Sequence, residues 1–320
     1  MSEGRTLVVT NDFPPRRGGI EQYVRDHCGS LPAGQVVVYT ARMPGDLEYD
    51  ARQPFRVYRD PAGTLLPTPA VARRVRRVFG EEGCSRVVFG AAAPLGLLGR
   101  TLRDAGASEI VAMTHGHEAW WARVPGTRGL LRRIAADADE ITYVSRWSHD
   151  RIEPALRLAD RAKLVHRPPT IDASRFVPGG GSEIRSRLGI ALDALVVVCV
   201  ARLVRRKGQD TLIRILPELV GTYPNVVLLL VGDGPERGRL ERMVRRRGLG
   251  ERVVFAGSVD PAEIPAHLDA ADVFAMPCRT RKLGLEAEAF GIVYLEAAAM
   301  GLPIVGGASG GAPEAAAVPR

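Results

Sequence analysis

The sequence predicts an α/β protein made of two doubly wound domains with parallel sheets. Short runs rich in Val and Ile alternate with longer helical patterns, which is typical of βαβ units. The alternation stops once, over residues 168–182, and then resumes. The chain has 320 residues, of which 46% are hydrophobic, so it has enough apolar material for two cores.

The first domain is predicted over residues 1–167, with alternating strands and helices. The predicted strands are Thr6–Thr10, Val36–Thr40, Arg86–Gly90, Ile110–Thr114 and Glu140–Val144. The predicted helices are Ile20–Leu31, Pro69–Phe79, Leu95–Ala105, Arg128–Ala136 and Ser148–Leu158.

The segment 168–182 is rich in Pro, Gly and Ser and lacks hydrophobic periodicity, so it is predicted to be a linker. A second Rossmann-like domain follows over 183–320. Its predicted strands are Val196–Val200, Val226–Val231, Val253–Ala256, Val273–Met276 and Ile304–Val305. Its predicted helices are Asp210–Leu219, Glu236–Arg247, Ala262–Ala270 and Gly291–Met300. We expect the two domains to face each other across a cleft.

The net charge of +8 favours an anionic partner: a nucleotide, a nucleic acid or an acidic membrane surface. A nucleic acid is disfavoured because the arginines are not interleaved with aromatic residues and no nucleic-acid-binding module is recognisable. No segment approaches the roughly 20 apolar residues of a membrane span. The four cysteines have no paired spacing, which indicates a reducing, cytoplasmic location.

Ligands of doubly wound sheets bind beyond the carboxyl ends of the strands, so residues in those positions are the candidates for chemistry. After the first strand, Gly18 and Gly19 open a helix whose N–H groups can approach a phosphate. An ordinary βα turn is the alternative interpretation. After the first strand of the second domain, Arg202 and Lys207 are suited to a diphosphate, whose charge requires fixed positive partners.

A second group of candidates surrounds the helix predicted to begin near Gly291. The N–H groups of Gly291, Ile292 and Val293 can face a phosphate, and Glu296 on that helix can reach a ribose. Glu288 precedes the helix and is expected to lie beside the group that is attached to the phosphate. The alternative is a helix with ordinary exposed glutamates.

The segment Thr114–Glu118 (THGHE) follows a strand of the first domain. Its histidines are two residues apart and lack the spacing of a helical zinc site, so no metal is predicted. A histidine that hydrogen-bonds a substrate hydroxyl fits better, and structural packing is the rival interpretation.

The helix predicted over Pro69–Phe79 carries four arginines, Arg73, Arg74, Arg76 and Arg77, beside apolar residues at helical spacing. Such a basic amphipathic helix can rest on anionic lipid. An arginine-rich solvent face is the equally supported alternative.

In this order, the motifs resemble those of the retaining glycosyltransferases of family 4, which have the GT-B fold of two Rossmann-like domains. The resemblance extends over nearly the whole chain. Its motifs are GGIE at 18–21, THGHE, ARLVRRKGQD at 201–210, VGDGP at 231–235, Phe255–Val259, ADVFAMP at 271–277, the pair Glu288 and Glu296, and GGAPE at 310–314.

The resemblance implies a role for each matching residue. Arg202 and Lys207 would hold the diphosphate, Glu296 the ribose and Glu288 the sugar hydroxyls, with His115 contacting the donor sugar. The remaining donor-binding positions would be Gly18, Gly19, Val259, Gly291, Ile292 and Val293. No metal or other cofactor is implied, and no carboxylate is assigned as a nucleophile.

The segments TNDFPP, FGAAAPL, FAMPCRTR and GIVYLEA are similar to those of family members that transfer mannose from GDP-mannose to phosphatidylinositol mannosides. The implied partners are a nucleotide sugar and an anionic lipid acceptor, with the protein peripheral on the inner face of the plasma membrane. The alternatives are a soluble, polyprenyl or glycan acceptor, or a catalytically impaired protein that binds sugar nucleotides. Because family members continue beyond GGAPE, the second domain is expected to be incomplete.

Overall fold

The chain forms two units, Met1–Pro168 and Pro169–Arg320, each built around one parallel sheet. The computed structural model describes residues 4–32 and 34–317. Within these residues, each sheet is connected by helices, as expected of a doubly wound α/β fold.

The first unit contains a seven-stranded sheet. Its strands are β1 (Arg5–Thr10), β2 (Val36–Ala41), β3 (Arg56–Asp60), β4 (Cys84–Phe89), β5 (Glu109–Met113), β6 (Glu140–Tyr143) and β7 (Leu164–His166). They lie in the order β3-β2-β1-β4-β5-β6-β7, and all neighbouring pairs are parallel. The strands predicted for this half are confirmed with small shifts at their ends, and β3 and β7 are additional edge strands.

The helices of the first unit are α1 (Gly19–Ser30), α2 (Asp46–Asp50), α3 (Pro69–Glu81), α4 (Gly99–Asp104), α5 (Glu118–Arg123), α6 (Pro125–Asp137), α7 (Arg146–Ile152) and α8 (Leu158–Arg161). Two helix predictions were wrong in extent. The segment Leu95–Ala105 begins with a 3-10 turn over Leu95–Leu98 before α4. The helix predicted to continue to Leu158 ends at Ile152, close to Pro154, which has no N–H to continue the hydrogen-bond ladder.

The second unit contains a five-stranded sheet. Its strands are β8 (Leu195–Val200), β9 (Val226–Val231), β10 (Val253–Gly257), β11 (Val273–Met276) and β12 (Ile304–Gly306). They lie in the parallel order β10-β9-β8-β11-β12, so every strand predicted here is confirmed. The helices are α9 (Gly181–Arg187), α10 (Gln209–Thr222), α11 (Arg237–Arg246), α12 (Ile264–Asp269), α13 (Ile292–Ala299) and α14 (Ala312–Ala316).

The end of the predicted linker is fixed to the second unit. One carboxylate oxygen of Asp269 accepts hydrogen bonds from the N–H groups of Gly179, Gly180 and Gly181, at 2.9, 3.0 and 2.7 Å. The helix α9 then begins at Gly181, inside the segment 168–182. These contacts make the glycines part of the folded unit.

Both sheets have a central position where the direction of winding reverses. In the first unit the chain passes from β1 to β3 on one side and returns to place β4 on the other side of β1. In the second unit the same reversal occurs between the neighbouring strands β8 and β11. Loops that follow these pairs of strands diverge and leave a crevice at the carboxyl edge of the sheet.

The basic helix α3 is anchored by its apolar face and by Arg74. Its side chains Val71, Val75, Val78 and Phe79 belong to the buried core. The apolar face of α3 is therefore covered by the core, which favours the alternative of a helix with an arginine-rich solvent face. No helix within the described ranges has the length and hydrophobicity to cross a bilayer.

Arg74 is engaged inside the unit and differs in this from Arg73, Arg76 and Arg77, which are exposed. Its guanidinium binds both oxygens of the buried Asp60 carboxylate, at 2.7 and 2.9 Å, and Tyr39 donates to the same carboxylate. Burial alone would raise the pKa of Asp60, but the hydrogen bonds from Arg74 and Tyr39 lower it below its usual value. Asp60 thus ties α3 to the carboxyl ends of β2 and β3.

We expect Asp60→Asn to lower the free energy of unfolding by about 2 kcal/mol, because a hydrogen bond to a charged group contributes roughly 1.5–3 kcal/mol. Urea unfolding at pH 7 measures this change. As a control on the same helix, Glu81→Gln removes the exposed partner of Arg77, 3.7 Å away, and should cost less than about 0.5 kcal/mol. Equal losses for the two variants would contradict an anchoring role for Asp60.

Candidate active site

The loop after β8 is pressed against the end of β11. Its residues Arg205–Lys207 form a 3-10 turn that ends at Gly208, which has a φ of +83°. A Cβ at Gly208 would lie 2.1 Å from the carbonyl oxygen of Pro277, so only glycine fits this approach. The Arg279 N–H also donates to the Arg206 carbonyl, at 2.8 Å. These contacts fix the loop that carries Lys207.

Lys207 and Glu288 form an ion pair between the loops that follow β8 and β11. Lys207 Nζ lies 2.7 Å from Glu288 Oε2, and the two side chains are only 12% and 10% exposed. Arg206 Nε lies 3.8 Å from the same oxygen. Among the described residues, no well-directed hydrogen bond reaches Glu288 Oε2. The pair is therefore held by charge, and the carboxylate retains acceptor capacity for a ligand hydroxyl.

The glycine-rich loop after β12 holds Glu288 in place. The Gly311 N–H donates to the Glu288 carbonyl at 2.9 Å, and the Glu288 N–H donates to Ser309 Oγ at 3.3 Å. Gly310 has a φ of +61°, and a Cβ there would lie 1.9 Å from the Glu288 carbonyl oxygen. The backbone of this loop therefore supports Glu288 from behind.

Arg202 differs from Lys207 in its surroundings. Its side chain is exposed and forms no ion pair within the part of the chain that the structure describes. Its backbone carbonyl accepts a hydrogen bond from Gln209 at 3.2 Å, which fixes the main chain beside it. In contrast, the neighbouring Arg205 is paired with Glu236 at 3.1 Å. Arg202 is therefore a cation available to an anionic ligand.

The helix α13 begins next to Glu288, as the sequence predicted. Gly291 is its N-cap residue, with a φ of +95° that favours glycine, and the helix proper starts at Ile292. Helical geometry leaves the first N–H groups, including those of Ile292 and Val293, without intrahelical acceptors. The Tyr294 hydroxyl donates to the Met276 carbonyl at 2.7 Å, which fixes this helix to the end of β11.

The other predicted donor-binding residues of this unit lie along the same edge of the sheet. Glu296 is partly buried on α13. Val259 follows β10, the edge strand, and is separated from the loop of Lys207 by β9. The structure brings Lys207, Glu288 and the start of α13 together. Val259 lies apart from them, after the edge strand β10.

In the first unit, Gly18 is the N-cap residue of α1 and Gly19 its first residue. The N-terminus of α1 already has an acidic neighbour, because Glu21 is buried in the first turn. Arg16 Nε lies 3.0 Å from the Glu21 carboxylate, and a Cβ at Gly18 would lie 2.2 Å from Glu21 Oε2. A phosphate at this position would have to share the site with the Glu21 carboxylate.

The histidine loop, Thr114–Glu118, follows β5 and contacts the loop after β4. His115 Nε2 lies 2.6 Å from the Gly90 carbonyl oxygen, and His117 Nε2 lies 3.0 Å from that of Ala93. The two rings therefore bind different backbone oxygens. The described residues contain no cluster of three or more His, Cys, Asp or Glu side chains with metal-binding geometry.

Glu118, the last residue of this loop, was not among the predicted site residues. Glu118 is fully buried, and its Oε2 accepts the His115 N–H at 3.1 Å. Glu118 is the first residue of α5, whose N-cap residue is His117, so its contact with His115 depends on the fold of the loop before the helix. Burial lowers the pKa of His115, whereas the Glu118 charge raises the pKa of His117.

Comparisons with known proteins identify relatives of both units. A family model described as "Glycosyltransferase Family 4" matches residues 17–175, and one described as "Glycosyl transferases group 1" matches residues 182–317. The chain is 50% identical, over 96% of its length and 81% of the relative's, to a Mycolicibacterium smegmatis protein named "GDP-mannose-dependent alpha-(1-6)-phosphatidylinositol monomannoside mannosyltransferase". A Corynebacterium glutamicum protein named as acting on the monoacylated form is 41% identical over 98% of this chain and 83% of its own.

Solved structures are similar in fold at lower sequence identity. The Anabaena protein HepE in complex with UDP is 22% identical, with a TM-score of 0.76 over 97% of this chain and 82% of its own. Sucrose-phosphate synthase from Thermosynechococcus elongatus is also 22% identical, with a TM-score of 0.76 over 96% of this chain and 82% of its own. The predicted fold class is thereby confirmed.

The buried pair can be tested by a double-mutant cycle with Lys207→Met and Glu288→Gln. We expect a coupling of roughly 1–3 kcal/mol in the free energy of unfolding, because each single change leaves a buried polar partner without its counterion. An exposed pair on the same loop provides the control. Lys282 and Glu286 are 2.5 Å apart with 63% and 30% exposure, and the same cycle there should give about 0.5 kcal/mol or less. Equal coupling at the two sites would contradict the importance of burial.

Proposed function

Because the chain belongs to glycosyltransferase family 4, we propose that it transfers mannose from GDP-mannose, with retention of configuration, to a phosphatidylinositol mannoside-type lipid. The observation that carries this proposal is the group of charged residues at the carboxyl ends of two neighbouring strands: Arg202 and Lys207 follow β8, and Glu288 follows β11. The names of relatives that are 50% and 41% identical over almost the whole chain support the donor and the acceptor class.

The donor diphosphate is assigned to Arg202 and Lys207. An ammonium group has three N–H donors, so Lys207 can retain Glu288 and still bind a phosphate oxygen. Charge-assisted hydrogen bonds to the leaving group become stronger as its charge develops in the transition state. We propose that these two cations stabilise the leaving group without a metal ion, and that no other cofactor takes part.

The remaining donor contacts are proposed around α13. The N–H groups of Gly291, Ile292 and Val293 are assigned to a phosphate, and the Glu296 carboxylate to the ribose hydroxyls. The Glu288 carboxylate, with its unused acceptor capacity, is assigned to a hydroxyl of the transferred sugar. Val259, after the edge strand β10, is proposed as a further contact to the donor. Gly18 and Gly19 of the first unit are proposed as additional donor contacts.

The proposed reaction takes place on one face of the sugar. The bond between the anomeric carbon and the diphosphate oxygen breaks while the acceptor oxygen forms its bond to that carbon. The acceptor oxygen is itself the nucleophile, and its proton passes to the departing diphosphate, so the enzyme needs to supply neither a nucleophilic carboxylate nor a separate base. His115 contacts the donor sugar in this proposal.

The lipid acceptor is proposed to approach on the inner membrane face, with exposed cations of α3 attracting anionic headgroups. Arg73 and Arg76 are available for this, while Arg77 has Glu81 as a neighbour and Arg74 is committed to Asp60. Because the apolar face of α3 is buried in the core, this attraction is electrostatic, and salt should weaken it.

The function is tested by incubating the protein with labelled GDP-mannose, UDP-glucose or UDP-N-acetylglucosamine and either lipid vesicles or soluble acceptors. The vesicles contain phosphatidylinositol monomannoside. We expect transfer from GDP-mannose to the lipid. Transfer only to a soluble acceptor would overturn the lipid assignment. Thermal stabilisation by GDP without turnover would instead indicate a binding protein.

The diphosphate assignment is tested with Arg202→Ala, for which we expect GDP to bind about tenfold or more weakly, since a charge-assisted hydrogen bond is lost. The matched control is Arg205→Ala on the same loop, because Arg205 is already paired with Glu236 and should leave affinity within about twofold. Isothermal titration with GDP measures both. Unchanged affinity in Arg202→Ala would remove that residue from the site.

A further inference from the structure

The carboxylate of Glu118 is buried completely and joins two loops of the first unit. Its Oε2 accepts the backbone N–H of His115, at 3.1 Å. Its Oε1 lies 3.1 Å from His117 Nε2 and 3.5 Å from the Ala93 backbone nitrogen. A buried carboxylate is tolerated only when it is paired and hydrogen-bonded, and these contacts reach both oxygens of Glu118.

The contacts of His115 determine its tautomer. A carbonyl oxygen can only accept, so Nε2 must carry the proton that it shares with Gly90, at 2.6 Å. In the neutral ring the other nitrogen, Nδ1, is therefore an acceptor, and it has no partner among the described residues. Burial lowers the pKa of His115, which favours this neutral form. The Tyr23 ring packs against the imidazole edge-on, with the centroids 5.4 Å apart.

The ring of His117, in contrast, lies beside a carboxylate. Its Nε2 faces two acceptors, the Ala93 carbonyl at 3.0 Å and Glu118 Oε1 at 3.1 Å. The Glu118 charge raises the pKa of His117, although burial acts against it. The titratable groups that act on His117 are Glu118 and Asp12, and those that act on His115 are Glu118, His117 and Asp12.

We propose that Glu118 is a positioning residue for the transfer reaction: paired with a cationic His117, it fixes the histidine loop on the loop after β4. The His115 ring is then held with Nε2–H directed to Gly90 and with Nδ1 ready to accept a hydrogen bond from a hydroxyl of the bound sugar. This inference rests on the proposed transferase function. It assigns different roles to the two histidines: His115 is neutral and faces the substrate, whereas His117 is charged and holds the loop.

The test uses Glu118→Gln, which keeps the shape of the side chain and removes its charge. NMR titration of the imidazole resonances should place the His117 pKa about one pH unit or more lower than in the unmodified protein. Transfer from GDP-mannose should lose about tenfold in kcat with little change in the KM for GDP-mannose, since Glu118 touches no substrate.

The pH profile supplies a readout that a general loss of stability would not move. In the unmodified protein kcat should fall as the pH rises through the His117 pKa, because the charge pair that holds the loop is lost. In Glu118→Gln this alkaline limb should disappear or move to lower pH. His117→Gln, a change at a side chain that is 42% exposed, should remove the same limb and provides a second variant if Glu118→Gln does not fold.

The control is Glu109→Gln at the start of β5, the strand that precedes the histidine loop. The Glu109 carboxylate forms an exposed ion pair with Arg86 at 3.0 Å. This substitution should leave both histidine titrations and kcat unchanged. Unaltered titrations in Glu118→Gln, or an unchanged kcat and pH profile, would overturn the proposal. Because the NMR titrations need no substrate, absence of mannosyl transfer by the unmodified protein would overturn the proposed function separately.

Discussion

Lys207 and Glu288 come from loops that follow different strands, and neither charge would be tolerated at its buried position without the other. The pair therefore requires the ends of β8 and β11 to be brought close together. Gly208 permits this on one side, because any side chain there would collide with Pro277. Gly310 permits it on the other, because its backbone passes directly behind Glu288. Gly208 and Gly310 thus permit the approach of the two loops that the ion pair requires.

The same constraint explains how the edge can select an anion. Ordering a lysine side chain at the moment of binding costs conformational entropy, and Lys207 has already lost that freedom to Glu288. Arg202, which is exposed and unpaired among the described residues, supplies a second charge that can attract a diphosphate from solution. One cation is preorganised and the other is accessible, so in the proposed function the two would contribute to different stages of binding.

The sequence predicted the parts of the fold that depend on local pattern. Strands such as β9 and β11 are continuous apolar runs because both faces of a parallel sheet are covered, and their bounds were predicted correctly. The edge strand β3 was missed because its sequence, RVYRD, is largely polar and it has only one neighbouring strand. The winding reverses between β1 and β4 and between β8 and β11. The loops after these strands therefore diverge, and the predicted candidates lie in such loops.

Pairings between distant residues could not be predicted in the same way. Arg74 has the helical position of a solvent-facing residue, and only the fold reveals that Asp60 lies beneath it. Lys207 and Glu288 were each identified as candidates, but their contact depends on two strands that are neighbours only in the folded sheet. Glu118 was treated as one polar residue in a motif, because its complete burial is a property of the packed loops.

The carboxyl edges of the two sheets share a topology and differ in chemistry. In the second unit, cations surround the buried carboxylate of Glu288, which suits a ligand with concentrated negative charge. In the first unit, Glu118 is buried beside the histidine loop and Glu21 is buried at the start of α1, so a neutral hydroxyl fits beside these carboxylates better than a phosphate does. Gene duplication or common topology alone would not require this contrast. It fits the proposed reaction, in which the departing diphosphate would bind the cations of the second unit and a neutral hydroxyl of the donor sugar would bind His115.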